Sequence, residues 1–354
     1  MDAHTAQAQE MYDRICLEFF LELDSPVPSW ELLQELHGQL KDAELMKEVR
    51  ERIREQRKVL AQAKPPDIEA GRQCTNPVTC EFYGVCNKPR PEDHIGNLPG
   101  LSAQKFQKLK DLGVELIGDI PRNFALTKRQ KRAWECVKNG RPWFGKELKD
   151  ALAGLNYPLY FMDFETLAPA LPRFGGMRPY DQMPFQWSVH IQQEPGAVLE
   201  HHEFLADNTA DPRPEFLRSL LQVIGRKGSI VAYSKGFESG CLKNLAQWFP
   251  KHEAQIKAIQ ERLWDLLAVV RAHVYHPGFM GSFSLKRVLP ALVPDMSYEG
   301  MEVSEGSEAG LIWEKIIHGQ VDAAERKRMR EALLVYCKQD TLAMVRLLEV
   351  LAGA

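Results

Sequence analysis

From Tyr157 onward, short apolar segments alternate with amphipathic ones, and this alternation constrains the fold more than any other feature of the chain. Three strand-like segments come first: YPLYFMDF, PFQWSVHI and the weaker LEHHEFLA. They are followed by an amphipathic helix (EFLRSLLQVIG), a short buried strand (SIVAY) and two further helical segments, GCLKNLAQWF and REALLVYCKQDTLAMVRLLEVL. A run of strands followed by strand–helix alternation predicts a mixed α/β sheet flanked by helices.

The rest of the chain predicts two further regions, because 354 residues are too many for one ordinary core. Leu32, Leu36 and Leu40 recur at helical spacing, and the mixed-sign run from Lys47 to Lys58 is typical of a solvated helix face. Residues 101–150 are again helical in pattern and locally basic. We expect three domains: a mainly helical region with a cysteine cluster over 1–93, a helical linker over 94–150 and the α/β domain over 151–354.

The composition excludes some classes of protein. The chain has 45 basic and 48 acidic side chains, whereas proteins that only coat nucleic acid are usually strongly basic. No segment approaches the roughly 18–20 consecutive apolar residues of a membrane span, and the N-terminus lacks a signal-peptide pattern. We therefore expect a cytoplasmic protein that does not enter membranes, with its cysteines present as thiols or metal ligands.

Two carboxylates stand at the end of the first apolar strand segment, in FMDFET. Asp163 and Glu165 are separated by one residue, so both project from the same face of a strand. Two like charges at a buried strand end repel each other, and a divalent cation between them removes that cost. Mg²⁺ or Mn²⁺ is the natural ion for oxygen ligands. The alternative is a strand end whose acids are simply solvated.

Further acids recur in the later segments. Tyr336 and Asp340 are four residues apart, on one face of the last helix, and Asp340 falls within an otherwise apolar run. Glu238 follows the SIVAY strand at the start of a helix, where open α/β sheets place their sites. The alternatives are an exposed Asp340 and a Glu238 that only favours the helix N-terminus electrostatically.

Together these residues resemble a known superfamily. Asp-x-Glu on the first strand, an acid in the middle and Tyr-x3-Asp on the last helix resemble the ribonuclease-H-like, DEDDy (DnaQ-like) 3′–5′ exonucleases. The longer strings FMDFETLAPALPRFGGMRPYDQMPFQWSVHI, GSFSLKRVLPALVP and YCKQDTLAMV resemble an uncharacterised bacterial family (domain of unknown function 2779) built on that core. The resemblance implies a ribonuclease-H-like sheet that hydrolyses single-stranded DNA or RNA from 3′ ends.

The resemblance also implies a two-metal mechanism, with two Mg²⁺ or Mn²⁺ ions roughly 3.5–4 Å apart. Asp163 would bridge both ions, Glu165, Glu238 and Asp340 would complete the cage, and Tyr336 would orient the attacking water. The superfamily usually carries Asn and then Asp in its middle motif, where this chain has Ser234 and Glu238. The alternative function is therefore a weakly active or inactive nucleic-acid-binding scaffold.

Several other residues have more than one interpretation. Asp265 is a reserve ligand or, more simply, a structural residue. His190, His201 and His202 are interpreted as packing or surface residues, and Cys241 and Cys337 as packed thiols. Ser284 is expected to cap the following helix, where Lys286 and Arg287 are candidates for phosphate contact.

A cysteine cluster, CTNPVTCEFYGVC, contains Cys74, Cys80 and Cys86. Its spacing differs from that of common zinc fingers. It resembles the tail of RecB-like and CRISPR-associated nucleases, which implies a 4Fe-4S cluster with Cys16 as the fourth ligand. Cys136 and His94 are alternatives for that ligand, Zn²⁺ is the alternative metal, and free thiols are the alternative to both.

The segments before and after the cysteine cluster resemble different kinds of protein. Only some 70 residues precede Cys74, and they hold no convincing copy of the RecB-like active site. We therefore expect that the RecB-like nuclease is absent or that residues 1–93 are a remnant of it. After the cluster, IGNLPGLSAQKFQKLKDLGVELIGDIP resembles helix–hairpin–helix DNA-binding elements. A plain helical linker is the alternative.

Overall fold

The mixed sheet predicted from the apolar segments is present. The structure, a computed structural model, describes residues 43–62, 74, 80, 83, 91–319 and 321–354. In chain order the strands are β1 (Trp143–Phe144), β2 (Leu159–Leu167), β3 (Met183–Gln192), β4 (Glu200–Leu205), β5 (Ser229–Ala232), β6 (Leu263–Asp265) and β7 (Val274–Tyr275). The helices are α1 (Ala43–Leu60), α2 (Ala103–Asp111), α3 (Lys128–Asn139), α4 (Leu148–Leu152), α5 (Arg213–Val223), α6 (Lys235–Trp248), α7 (Glu253–Gln260), α8 (Leu266–His273), α9 (Leu285–Leu292), α10 (Gly306–Ile317) and α11 (Ala323–Gly353).

The main sheet has the strand order β4-β3-β2-β5-β6. Strand β3 is antiparallel to both β2 and β4, whereas β5 runs parallel to both β2 and β6. The short strands β1 and β7 form a separate antiparallel pair. Strand β2 therefore lies at the centre, where the antiparallel half of the sheet meets the parallel half.

Strand β2 has two faces of opposite character, because successive side chains of a strand alternate. Tyr160, Met162 and Phe164 belong to a buried apolar cluster that includes side chains of α5, α6 and α7. The intervening residues Asp163 and Glu165 point to the other face, which α10 and α11 cover. The sheet thus lies between two layers of helices, with the carboxylates under α10 and α11.

Gly228 allows β5 to enter the sheet beside β2. It has a φ of +89°, and a Cβ atom there would lie 2.0 Å from the carbonyl oxygen of Pro158, directly before β2. A side chain is excluded by this backbone contact as well as by the dihedral angle. The close approach sets the start of the parallel β2–β5 pair, in which Leu159 pairs with Ser229.

Residues 95–139 contain two related turn-and-helix units that the sequence pattern did not reveal as a repeat. The 3₁₀ turns Ile95–Asn97 and Ile117–Asp119 each precede a helix, α2 and α3, whose first turn is capped by Ser102 or Thr127. The units are joined where the Ile95 amide donates to the Glu115 carbonyl and the Ile117 amide donates to the Asp93 carbonyl. The turn at Pro99 and Gly100 therefore has a 3₁₀ turn before it and a full helix, α2, after it.

Two compact units are distinguished. One comprises Pro91–Pro169 and Asp181–Ala354, and the other contains the remaining described residues. In α1, part of the predicted N-terminal helical region, the described side chains are exposed, as expected for a solvated helix. No helix in the described part of the chain has the length and apolar character needed to cross a membrane.

Candidate metal centre

Strand β2 holds Asp163 and Glu165 on one face, as their spacing predicts. In the antiparallel pairing with β3, Asp163 lies opposite Ser188 and Glu165 opposite Gln186. The register shifts directly after Glu165, and such irregularities re-aim side chains near functional sites. Glu165 is buried and Asp163 partly buried, so neither carboxylate is fully solvated.

Helix α11 brings a second set of predicted residues to the same place. Tyr336 and Asp340 are both buried, which confirms the prediction that Asp340 is shielded from water. Cys337, interpreted from the sequence as a packed thiol, is indeed fully buried, but its Sγ lies 3.6 Å from Asp163 Oδ2. One ligand atom each of Asp163, Glu165 and Cys337 all lie within 4.8 Å of one another.

Glu238 approaches this group from the first turn of α6. Its side chain is 3% exposed, and its Oε2 atom has no hydrogen-bond partner among the described residues. Its charge is one of those that raise the pKa of Asp163, which places the two carboxylates in one electrostatic environment. Ser234, at the residue before α6, has a φ of 148°, a conformation that a residue with a side chain rarely adopts.

All four carboxyl groups have raised pKa values, and burial is the largest cause for each. Burial, together with the charges of Asp340, Glu165 and Glu238, raises the pKa of Asp163 well above its usual range. Burial and then Asp340 raise the pKa of Glu165 to about 8, and burial raises that of Glu238 to about 8. The pKa of Asp340 is raised by burial to about 6. The surroundings therefore do not keep all four carboxyl groups ionised at neutral pH.

Tyr298 and Lys286 complete the surroundings of Asp340. The Tyr298 hydroxyl donates a hydrogen bond to Asp340 Oδ1 and, with Lys286, lowers the pKa of that carboxyl against the effect of burial. Lys286 Nζ lies 5.4 Å from the ring centre of Tyr336 and 5.9 Å from that of Tyr298. Lys286 was a sequence candidate for phosphate contact. Tyr298 was missed, because it lies in an irregular segment whose path no periodicity predicts.

A layer of polar side chains lies between β3 and α11. The Thr341 hydroxyl is hydrogen-bonded to Ser188 Oγ at 2.9 Å and to His190 Nδ1 at 2.8 Å, and Ser188 Oγ also lies 3.0 Å from His201 Nε2. Burial lowers the pKa of His190 to about 3 and that of His201 to about 4, so both rings are neutral. This network joins the residue after Asp340 to the strand that pairs with Asp163. His190 is thus a packing residue, as predicted.

The other candidates from the sequence are Asp265, Ser284, Arg287 and Cys241. Asp265 has a structural role, because it caps α8 by accepting a hydrogen bond from the Ala268 amide at 2.9 Å. Its charge also raises the pKa of Glu238. Ser284 precedes α9 as expected, but its side chain makes no capping hydrogen bond. Arg287 is exposed on α9, and Cys241 is a buried thiol on α6.

The predicted cysteine cluster is described only in part. Cys74 and Cys80 are joined by a backbone hydrogen bond from the Cys80 amide to the Cys74 carbonyl, 2.8 Å long. Cys16 and Cys86 lie outside the described residues. Cys136, an alternative ligand, is buried on α3, and its Sγ lies 3.9 Å from the Tyr275 carbonyl oxygen.

Comparison with known proteins gives one similarity. A family model described as "Domain of unknown function (DUF2779)" matches residues 160–284, which include Asp163, Glu165 and Glu238. No curated protein and no solved structure matches the chain. The match confirms the predicted resemblance to that uncharacterised family over β2–β7, whereas Tyr336, Cys337 and Asp340 lie beyond the matched segment.

Proposed function

We propose that this protein is a metal-dependent nuclease that hydrolyses phosphodiester bonds of DNA or RNA from 3′ ends, built on a ribonuclease-H-like, DEDDy-type core. The observation that carries the proposal is the convergence of Asp163, Glu165, Glu238 and Asp340 in one buried place. These residues come from a strand and two helices, and burying four acids together is costly unless cations bind them. The polarity of cleavage rests on the superfamily resemblance.

The donor set fits hard divalent cations. Carboxylate oxygens suit Mg²⁺ and Mn²⁺, and the unpartnered Oε2 of Glu238 is a buried acceptor for which a bound cation is a natural partner. Asp163, Glu165, Glu238 and Asp340 would hold two such ions. When bound, the ions would stabilise the attacking and leaving oxygens of an in-line displacement.

The protein's own side chains have separate tasks in this proposal. Burial and the nearby acids raise the pKa of Tyr336, so its hydroxyl keeps its proton and can orient a water molecule by hydrogen bonding. Tyr298 donates to Asp340 and holds that carboxylate in place. Lys286, the cation beside the acids, would attract the phosphate of the scissile bond.

A basic surface on α3 supports nucleic acid as the substrate. Residues 122–141 contain one acidic side chain, Glu135, and seven basic ones: Arg122, Lys128, Arg129, Lys131, Arg132, Lys138 and Arg141. Arg132 stacks over Trp143 at 3.4 Å, within a cleft of about 460 Å³ that Arg141 also lines. Clustered basic side chains with aromatic rings are typical of surfaces that follow a phosphate backbone.

The test is degradation of end-labelled single-stranded DNA and RNA. Wild-type protein with Mn²⁺ or Mg²⁺ should shorten one or both polymers progressively from the 3′ end, and Asp163→Ala or a chelator should abolish this. Glu253→Ala is the control, because that acid is exposed on α7. If no metal supports cleavage while the polymers still bind, the protein is a nucleic-acid-binding scaffold. The presence of Glu238 where the superfamily usually has Asp is the reason for that alternative.

We propose separately that Cys16, Cys74, Cys80 and Cys86 bind a 4Fe-4S cluster, with Zn²⁺ as the alternative. The proposal rests on the resemblance to RecB-like nucleases and on the backbone hydrogen bond that joins Cys74 and Cys80. Iron, sulfide and zinc content of anaerobically purified protein, with its visible absorption spectrum, tests it. Cys80→Ser should remove the metal, and Cys241→Ser is the control for the loss of a buried thiol.

A further inference from the structure

The carboxylate group contains a sulfur atom that a site for hard ions does not need. Cys337 Sγ lies 3.6 Å from Asp163 Oδ2 and 3.9 Å from the Asp163 carbonyl oxygen. Ligand atoms of Asp163, Glu165 and Cys337 lie within 4.8 Å of one another, and Cys337 is fully buried. Donor atoms this close can contact one ion, since metal–ligand bonds to oxygen and sulfur are about 2.0–2.3 Å long.

The chemistry of this donor set differs from that of an all-oxygen site. Carboxylates suit Mg²⁺ and Mn²⁺, whereas a thiolate favours Zn²⁺ and other softer ions. Coordination removes the thiol proton, which passes to solvent, so the neutral buried thiol is no obstacle to binding. A hard ion would use the carboxylates alone, and a soft ion would use the sulfur as well.

A further buried acid, Glu238, stands near this donor group. Glu238 is 3% exposed, its Oε2 atom is unpartnered among the described residues, and its charge acts on Asp163. Its charge also acts on Cys241, which stands on α6 one turn after it, and so does that of Asp163. Glu238 therefore adds a buried acid to the surroundings of Asp163, although it is not among the three donors that lie within 4.8 Å of one another.

We propose that Asp163, Glu165 and Cys337 form a Zn²⁺ site, and that Zn²⁺ bound there excludes the activating Mg²⁺ or Mn²⁺. The binding part stands on the donor set, whereas the inhibition rests on the proposed function. Zinc excludes the activating ions because Asp163 and Glu165 belong to both sets of ligands. The sulfur makes the exchange selective, because it adds affinity for Zn²⁺ and little for Mn²⁺.

Cobalt is the probe for the sulfur, because thiolate-bound Co²⁺ has a charge-transfer absorption in the near ultraviolet that oxygen-bound Co²⁺ lacks. The full chain is titrated with Co²⁺, and spectra of variants are subtracted from the wild-type spectrum so that absorption from other cysteines cancels. Cys337→Ser and Asp163→Asn should remove the same component of the band. Cys136→Ser, a buried thiol on α3, should leave that component intact.

Zinc affinity gives a second measurement that does not depend on activity. Cys337→Ser should weaken Zn²⁺ binding by roughly 100-fold and change Mn²⁺ binding by less than about 10-fold. If Cys337→Ser fails to fold, Asp163→Asn alone decides. A charge-transfer component that persists unchanged in Asp163→Asn would overturn the zinc site.

The two proposals fail in different ways. If Mn²⁺-dependent cleavage occurs and zinc inhibits wild-type protein and Cys337→Ser equally, the nuclease stands and the thiol site is wrong. If the cobalt band requires Cys337 and Asp163 but no polymer is cleaved, the zinc site stands and the nuclease is wrong. In the outcome that supports both, Cys337→Ser cleaves nucleic acid at zinc concentrations that inhibit the wild-type protein.

Discussion

The acids of the candidate centre have raised pKa values, so they keep their protons to a higher pH than exposed carboxyl groups do. Glu165 and Glu238 each have a pKa raised to about 8 by burial, and Asp340 one raised to about 6. A raised carboxyl pKa means that the folded state keeps a proton which the unfolded state releases. The acids therefore oppose folding of the metal-free protein when they are forced to ionise.

This predicts an unusual dependence of stability on pH. With chelator present, the acids' contribution to the free energy of unfolding should be complete below about pH 4.5 and should fall as the pH rises to about 8, at up to about 1.4 kcal/mol per pH unit for each group. Chemical denaturation across this range measures it. Glu165→Gln should have a shallower slope than wild type, and saturating Mn²⁺ should flatten the wild-type slope. A variant slope equal to the wild-type slope would contradict the electrostatic account.

A second prediction concerns Tyr298, whose hydroxyl favours the ionised form of Asp340. Tyr298→Phe should raise the pKa of Asp340 and weaken Mn²⁺ binding roughly 10-fold near pH 6, since a hydrogen bond to a charged group contributes about 1.5–3 kcal/mol. The deficit should shrink toward pH 8, where Asp340 ionises in both proteins.

Calorimetric titration with Mn²⁺ at the two pH values measures the effect of Tyr298→Phe. Tyr336→Phe is the matched control, because it also removes a buried phenol hydroxyl near the acids but leaves the hydrogen bond to Asp340 in place. An equal loss of affinity at both pH values would show that Tyr298 acts through packing instead.

At the scale of elements, the central strand β2 depends on a close backbone contact with the residue before β5. A Cβ atom at Gly228 would lie 2.0 Å from the Pro158 carbonyl oxygen. Gly228→Ala should therefore lower the free energy of unfolding by roughly 3 kcal/mol or more. Gly196→Ala is the control: its φ of +75° is also positive, but nothing lies within 4 Å. That variant should lose only about 1 kcal/mol.

Denaturant unfolding of the two glycine variants compares them directly. The difference between them isolates the backbone collision from the cost of the dihedral angle, which both share. Similar losses in both variants would mean that β5 can move away from β2 without penalty, and the close contact would not be what fixes the sheet.

The sequence predicted those elements whose apolar pattern is long enough to be periodic. Strands β2, β3 and β5 and helix α11 are examples, and the period of two also placed Asp163 and Glu165 on one face. Strands of two or three residues, such as β6, carry no such pattern. The Tyr298–Asp340 bond and the approach of Cys337 to Asp163 depend on how distant elements pack, and packing leaves no local signal.

At the scale of the whole molecule, charge is unevenly distributed. The chain has a net charge of −3, yet residues 122–141 have seven basic side chains and one acidic one. In that segment Lys128, Arg129 and Lys131 are exposed on α3. Balanced overall charge therefore says little about nucleic-acid binding, because acids gathered at one site offset a basic surface elsewhere.

A prediction follows for salt dependence. Reversing Lys128, Arg129 and Lys131 to Glu in an Asp163→Ala background should weaken binding of single-stranded DNA or RNA at least 10-fold and reduce the dependence of affinity on salt. Fluorescence anisotropy at several salt concentrations measures both. Reversing the three exposed residues Lys243, Lys251 and Lys257 controls for the same change in net charge. Equal weakening by both sets of changes would exclude a specific role of α3.

The residues of the candidate centre are synthesised at different times, because they are far apart in the chain. Cys337 and Asp163 are 174 residues apart in the chain, and Asp340 comes later still. Strand β2 leaves the ribosome before α11 is synthesised. Asp163 and Glu165 are therefore present in the nascent chain before Asp340 and Cys337 can join them. A translation product interrupted before α11 would keep the basic surface of α3 and lack the complete carboxylate group. The proposed function predicts that such a fragment would bind a nucleic acid strand without cleaving it.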